Sequence, residues 1–325
     1  MKKKLLAIAL STVGAVGAVQ AGAVAQSSLQ ILGLVLSNAG TGATLTAGQF
    51  DVLNIVDTTN LNPTLSGVGA NPYTNSTVGG APLALTVVCV PLACPGALTA
   101  PGPFGNATTP ATVNGALAAS SLDGAPIAGL FNPGPPSTAI PVGVNARTNA
   151  VSERTTAGTA NTTAAVSAAV LFSFSLGNDL AIRIDFNAIE HLLAFLDSQT
   201  NSFAGAGWNV HINNQANGAT VFDWTPNGSL AAGGITGGTE IADPCSLSRS
   251  ITSFGPSANA FYDCSGRFSA TTDVLLAANT YDVSITHQNQ ANVIVAQAVP
   301  EPSMLSLLGL ALAGIGFTTR RKSKA

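Results

Sequence analysis

Charge is what this sequence lacks most. Charged residues make up only 8% of the 325 residues, and aromatic residues only 6%. Residues 26–300 contain no lysine, and their five arginines face fourteen carboxylates, so this span has a formal charge of −9 (5 − 14). A nucleic-acid-binding surface needs clustered Lys or Arg to displace counterions from phosphates. The composition therefore excludes nucleic acid as a partner of this span.

The lysines lie at the two ends of the chain instead. Lysines at residues 2–4 precede an apolar segment at 5–19 and the small residues 23–25. This order is typical of a secretory signal peptide, and it predicts cleavage between Ala25 and Gln26 by the general secretion machinery. The alternative, a short buried helix, would not need three lysines followed by small residues at the cleavage spacing. We therefore expect residues 1–25 to be a signal peptide.

The last 27 residues combine a proline motif, an apolar segment and a basic tail. They are Val299, Pro300, Glu301 and Pro302, the apolar residues 304–317, and then Arg320, Arg321 and Lys322. Fourteen helical residues cover roughly 21 Å, which is less than the roughly 30 Å hydrocarbon core of a bilayer. The positive-inside rule keeps the basic end in the cytoplasm. The pattern predicts a short transmembrane helix that is a temporary anchor.

Together, these three features resemble the PEP-CTERM sorting signal of exopolysaccharide-producing Gram-negative bacteria. The resemblance implies recognition near Pro300, Glu301 and Pro302 by an exosortase, an integral-membrane cysteine protease-transpeptidase. Two prolines around one residue also prevent a helix and favour the extended chain that a protease could bind. The resemblance further implies a transient inner-membrane stage, a final place at the cell surface or outside the cell, and exopolysaccharide as a further partner. The alternative is a plain membrane anchor after a proline-containing linker.

The exported span divides into two predicted regions, 26–163 and 164–298, followed by the sorting signal at 299–325. In the first region, which is rich in Gly, Ala and Pro, only 83–90 is predicted firmly as a strand, and 132–136 is predicted as an exposed loop. We make no detailed fold prediction for the rest of this region.

The second region carries the clearer fold signal. Residues 180–186 alternate large apolar residues with small or polar ones, which is the period of a half-buried strand. Further strands are predicted at 168–176, 208–212, 220–224, 271–276, 281–287 and 292–298. Short strands separated by turn residues favour an all-β, antiparallel sandwich. Residues 188–197 fit either a short helix or a further strand.

Four cysteines lie in the exported span, where an oxidising periplasm permits disulfides. They are Cys89, Cys94, Cys245 and Cys264, and three pairings are possible. We favour Cys89 with Cys94 and Cys245 with Cys264, because each pair is close in sequence and lies within one predicted region. A metal site is the alternative, but the Cys89–Cys94 pair has no nearby histidine.

The sequence contains no recognisable catalytic pattern. It has no Gly-x-Ser-x-Gly elbow, no His-Glu-x-x-His helix and no Gly-rich phosphate loop. His191, His211 and His287 are each predicted to have a structural role. Asp185 and Glu190 would be a glycosidase-type pair only if they faced each other across a cleft, and the acidic residues are predicted to be solubilising. We therefore predict no enzyme activity, no catalytic residue, no metal and no cofactor.

The two tryptophans raise the question of sugar binding. Trp208 shares a strand face with Val210 and Ile212, so the tryptophans are predicted to lie in the core rather than on a sugar-binding surface. Residues 221–228, 237–244 and 281–287 resemble a family of exosortase-dependent surface-associated proteins. That resemblance implies a surface or matrix protein of unknown molecular activity. We predict a structural or adhesive role at the cell surface, in the extracellular matrix or in a biofilm. The alternatives are a secreted glycan-binding module and a hydrolase that carry the same tag.

Overall fold

The computed structural model describes residues 22–45, 55–78, 83–92, 115–123, 143–196, 200–230, 233–255 and 259–296. All regular structure within them is β-strand. The strands are β1 (Ala23–Asn38), β2 (Ile55–Leu65), β3 (Gly69–Ala70), β4 (Tyr73–Val78), β5 (Leu83–Val90), β6 (Gly115–Asp123), β7 (Val144–Arg154), β8 (Gly158–Ser175), β9 (Ile182–Leu196), β10 (Thr200–Asn214), β11 (Thr220–Trp224), β12 (Ile235–Thr236), β13 (Gly238–Ala242), β14 (Arg249–Phe254), β15 (Asn259–Thr272) and β16 (Thr280–Val295).

The strands form two antiparallel sheets. The seven-stranded sheet has the order β13-β15-β9-β1-β7-β6-β5. The nine-stranded sheet has the order β12-β11-β10-β16-β8-β2-β3, and in addition β14 pairs with β10 and β4 pairs with β2. This architecture confirms the predicted all-β, antiparallel fold class. The predicted transmembrane segment, the loop at 132–136 and Cys94 lie outside the described residues.

The two predicted regions are not separate units in the structure. Residues 20–295 form one compact unit, and the boundary expected after residue 163 falls inside β8. The reason is the pairing, since β1 pairs with β9 and β2 pairs with β8. Strands from both regions therefore share each sheet, and this corrects the predicted division.

Most of the predicted strands lie within strands of the structure, with some changes of length. The strand predicted at 83–90 is β5, and the ambiguous segment 188–197 continues β9, so the helical alternative is wrong. The segment predicted at 281–287 and residues 292–295 of the segment predicted at 292–298 are parts of one continuous strand, β16. Of the segment predicted at 271–276, only the first two residues belong to a strand, β15.

One end of the core is aromatic. The Phe186 ring lies 4.4 Å from that of Trp208 and 5.2 Å from that of Phe268, measured between centroids. The two tryptophan rings, Trp208 and Trp224, meet edge to face at 5.4 Å. All four side chains are almost completely buried. The tryptophans are therefore core residues, as predicted, and they offer no sugar-binding surface.

The other end of the core is rich in small side chains, which lie among larger aliphatic ones such as Leu61, Leu196 and Val293. Its buried alanines are Ala23, Ala25, Ala118, Ala150, Ala160, Ala164 and Ala291. Because these side chains are short, the hydroxyl groups of one sheet reach backbone carbonyls of the other. Ser27 donates to the carbonyl of Gly205 at 2.7 Å, and Ser202 donates to the carbonyl of Val24 at 2.7 Å. Further bonds between the sheets run from Ser152 to Ala291, from Thr162 to Val151 and from Ser253 to Ala194.

Strand β1 begins three residues before the predicted cleavage point. Ala23 pairs with Arg154 on one side and with Leu196 on the other, and Gln26 is 1% exposed. A chain that started at Gln26 would lose three residues of pairing with two strands. It would also place a charged amine inside the sheet, which is costly.

We therefore expect a protein that starts at Gly22 to be more stable than one that starts at Gln26. The difference should be at least about 2 kcal/mol in the free energy of unfolding, because several backbone hydrogen bonds and the bond from Ser202 are lost. Urea unfolding of the two proteins, both ending at Ala298, measures it. Equal midpoints would show that the first residues of β1 contribute nothing.

A disulfide joins Cys245, after β13, to Cys264 in β15, with their Cα atoms 5.9 Å apart. Cys89 is also disulfide-bonded, and its predicted partner, Cys94, lies outside the described residues. We expect both predicted pairs in the exported protein. Peptide mapping without reduction should recover Cys245 linked to Cys264, while free thiols at both positions in periplasmic protein would contradict this prediction.

Candidate functional site

A shallow groove of about 310 Å³ lies on the outer face of the nine-stranded sheet. It crosses four neighbouring strands, β8, β16, β10 and β14. One row of paired residues runs across it, made of Thr163, Gln290, Gly205 and Ser250. Because alternate residues of a strand point to opposite faces, the side chains of this row share the outer face.

Glycines and one aromatic ring shape the groove. Gly205 and Gly207 leave space on β10, since neither has a side chain. A methyl group at Gly205 would lie 3.1 Å from the Phe203 ring, and one at Gly207 would lie 3.1 Å from the amide nitrogen of Gln288. The Phe203 ring therefore lies close above Gly205, and the Gln288 amide lies close above Gly207.

The groove is lined by neutral polar groups. Its side chains carry amides at Gln288 and Gln290 and hydroxyls at Thr163 and Ser250. Arg249 is the only charged residue along it. The Arg249 guanidinium lies 4.5 Å from the centre of the Tyr262 ring, which belongs to the seven-stranded sheet. The one positive charge of the groove thus contacts an aromatic ring of the other sheet.

A buried carboxyl group lies on the inner face near this junction. Glu190 is 1% exposed, and neither of its carboxyl oxygens has a hydrogen-bond partner. Burial raises the pKa of Glu190 to about 8, although the charge of Arg249 acts in the opposite direction. Burial, and next the charge of Glu190, also raise the pKa of Tyr262. Glu190 is therefore not a solubilising residue.

Other acidic side chains are buried as well, and this corrects the prediction that they are solubilising. Asp57, Glu153, Glu240 and Asp243 are all less than 9% exposed. Glu240 accepts a hydrogen bond from Trp224 Nε1 at 2.7 Å. Asp243 accepts bonds from the backbone amides of residues 227–229, so it fixes the loop after β11.

Two of the three histidines pair with a carboxylate near the surface. His191 contacts Asp263 across β9 and β15. His211 Nδ1 lies 3.2 Å from Asp223 Oδ2, and its Nε2 lies 3.4 Å from the hydroxyl of Thr220. This order of hydroxyl, imidazole and carboxylate is that of a hydrolytic triad, but all three side chains lie on adjacent paired strands. None of these residues lines the groove.

The third histidine belongs to a buried polar chain between the sheets. His287 Nε2 lies 2.7 Å from the hydroxyl of Thr148, which bonds to Asn289, and Asn289 donates to Ser27. Burial lowers the pKa of His287 to about 3, against a smaller opposite effect of the Leu29 backbone. The ring is therefore neutral, and its role is structural. The sequence does not reveal this network of buried hydrogen bonds, because its members are up to 262 residues apart.

The predicted sorting residues, from Val299 to Pro302 and from Arg320 to Lys322, lie outside the described residues. Gln26 and Ala25 lie in β1. Across the described ranges, no group of three or more His, Cys, Asp or Glu side chains could hold a metal ion. The same part of the chain contains no helix that is long and apolar enough to cross a membrane.

A β-sandwich followed by a proline motif, an apolar segment and a basic tail defines an exported, tail-sorted protein. Residues 298–322 match the PEP-CTERM protein-sorting motif. The tail thus carries the predicted sorting motif, which is consistent with a protein sorted by an exosortase. This match covers the tail only.

Other comparisons add no further relationship. No curated protein matches the chain. Two solved structures of infectious bursal disease virus, one of its Gt strain and one of its VP2 subviral particle, are each 12% identical to the chain. They cover 89% and 90% of this chain and 85% and 87% of their own, with TM-scores of 0.10. Similarity at this level carries no argument about fold or function.

The buried Glu190 predicts a pH-dependent stability. The folded protein keeps its proton up to about pH 8, whereas the unfolded chain loses it near the ordinary value of 4.5. Stability should therefore fall as pH rises from about 4.5 to 8, by up to about 1.4 kcal/mol per pH unit. Glu190→Gln should remove this slope, as measured by urea unfolding at several pH values. Asp273→Asn, at an exposed carboxyl, is the control, and an unchanged slope in Glu190→Gln would contradict the assignment.

Proposed function

We propose that this protein is a non-catalytic structural or adhesive component of the cell surface or extracellular matrix. The main support for this proposal is the PEP-CTERM motif at residues 298–322, which supports export and sorting by an exosortase. The exosortase is then the processing partner, and exopolysaccharide of the matrix is the proposed final partner. The inner-membrane stage ends when the tail is cleaved.

The sandwich itself supports a structural role. Its two sheets are joined by a disulfide-braced aromatic core at one end and by hydroxyl-to-carbonyl bonds at the other. Its groove presents mainly neutral amides and hydroxyls, and these groups suit contact with hydrated matrix polymers.

A hydrolase is the competing proposal, and the described geometry does not favour it. Hydrolysis of glycosides needs two carboxyl groups that face each other across a cleft that admits substrate. Glu190 is buried on an inner face, while His211 and Asp223 lie among outward-facing side chains of a flat sheet. Asp185, the other predicted acid, is held between Arg183 and Arg267 at 2.8 and 2.7 Å. These groups do not converge on one cavity.

The proposal is tested by following the protein in producing cells with and without their exosortase. With the enzyme, we expect processed protein at the surface or in the matrix. Without it, we expect precursor in the inner membrane. Processed protein that is found only free in the medium, with none bound to cells or matrix, would contradict the proposal.

Two tail variants test the sorting step itself. Replacing Arg320, Arg321 and Lys322 by Asn should let precursor escape or insert wrongly, because charged residues resist transfer across the bilayer. Replacing Pro300 and Pro302 by Ala should leave uncleaved precursor in the inner membrane. Wild-type processing of either variant would show that the tail is an ordinary anchor. Immunoblots of membrane and secreted fractions measure the outcome.

A further inference from the structure

We infer that the groove across β8, β16, β10 and β14 is a binding site for an uncharged glycan chain. This inference rests on the proposed function, because it names the class of matrix polymer that the surface would contact. It goes beyond that function by assigning the site, its residues and the charge of the ligand.

The position of the groove restricts how a ligand can bind. Its strands β8, β16 and β10 each have a paired neighbour on both sides, whereas β14 pairs with β10 alone among the described strands. A peptide that binds by strand addition needs an open sheet edge with free backbone groups. The backbone groups of β8, β16 and β10 are already used, so a ligand that lies across these three strands must be recognised by side chains.

The side chains restrict the ligand further. Gln288 and Gln290 are exposed, and each amide offers both a donor and an acceptor. Thr163 and Ser250 add hydroxyl groups at the two ends of the same row. Groups that can both donate and accept are matched by the hydroxyl groups of a sugar, which do the same.

An aromatic surface lies at one side of the row. Phe203 is half-buried, and its ring leans over Gly205. Aromatic rings supply apolar contact area at low cost in side-chain entropy. A sugar ring has an apolar face as well as hydroxyl groups, so the Phe203 ring and the neighbouring amides fit both of its surfaces.

The charge of the groove sets the class of glycan. The outward-facing partners in the next rows are also neutral, namely Asn161, Asn292 and Thr252 on one side and Ala165 on the other. The Arg249 guanidinium lies against Tyr262 of the other sheet. A uronate or sulfated chain would meet one cation in the groove, Arg249, which already contacts the Tyr262 ring, and the exported span would repel such a chain through its net negative charge.

The row is long enough for a chain rather than a single sugar. Neighbouring strands lie about 4.8 Å apart, so four strands span roughly 14 Å. The volume of about 310 Å³ is at the lower end of the range for small-molecule sites. We therefore expect each protein molecule to bind one segment of a polymer weakly. Many protein molecules on one surface would together bind the polymer more tightly.

The binding test uses the exported protein with neutral oligosaccharides of glucan, mannan and galactan type and with an oligogalacturonate as the acidic probe. Calorimetry should show binding of at least one neutral probe that exceeds binding of the acidic probe. Gln290→Glu keeps the side-chain shape but replaces the donor by a charge. It should weaken that binding about three- to tenfold. Phe203→Leu, which removes the ring but stays apolar, should also weaken it.

The matched control is Asn187→Asp, which makes the same amide-to-carboxylate change at an exposed position of β9 on the other sheet. It should leave binding unchanged, and thermal unfolding should show that all three variants are folded. Tighter binding of the acidic probe, no binding of any neutral probe, or equal effects of Gln290→Glu and Asn187→Asp would each overturn the inference. The location experiment on producing cells is separate, so a matrix-bound protein that binds no glycan would refute the groove and leave the proposed function standing.

Discussion

The close approach of the two sheets at their alanine-rich end is the constraint on which the rest of the fold depends. A serine side chain is short, and packed sheets usually lie about 10 Å apart. The Ser27 and Ser202 hydroxyls nevertheless reach carbonyls of the opposite sheet, so the sheets must lie closer than usual there. The many alanines of this cluster allow this approach. The composition of the exported span, poor in aromatics and charges, is therefore what such an interface requires.

Polar groups sealed in this interface give the protein an unusual response to pH. His287 is neutral in the fold, so stability is lost as pH falls from 6.5 towards its folded pKa of about 3. Burial raises the pKa of Glu190 to about 8 and that of Asp57 to about 6, so these groups act in the opposite direction. These two carboxyl groups make the folded protein less stable as the pH rises above their ordinary pKa values, which are 4.5 for Glu190 and 3.8 for Asp57. Since two acids oppose one histidine, these three groups place the greatest stability on the acidic side of neutrality.

Local patterns in the sequence were enough to predict several strands, such as β5, β9, β10 and β16, but not β1, β2 or β7 and not the partner of any strand. The alternation around Ile182 and Ile184 identified β9, and the shared face of Trp208 and Val210 placed that tryptophan in the core. The pairing of β1 with β9 joins residues that are 144 (182 − 38) to 173 (196 − 23) positions apart, and a periodicity carries no information about which strand lies alongside. For the same reason, the predicted division at residue 163 was wrong.

The candidate site was hidden from the sequence for a related reason. Its central row brings Thr163, Gln290 and Ser250 together from three different strands. Each of these residues on its own is typical of any solvent-exposed strand. Glu190 was misjudged because a glutamate in an alternating pattern can lie on either face. Only the register with β15, where Glu190 is opposite the buried Cys264, shows that it points inward.

The few charges of the exported span are distributed unequally over the two outer faces. The seven-stranded sheet carries the ion-paired set of Arg183, Asp185 and Arg267, and the contact of His191 with Asp263. The paired rows at the centre of the groove carry amides, hydroxyls, small residues and one aromatic ring, and Arg249 is the one charged residue that lines it. Paired charges hold ordered water and resist desolvation, whereas neutral amides exchange water for sugar hydroxyls at little electrostatic cost. Charge is therefore scarce in the rows whose proposed partner is a neutral polymer.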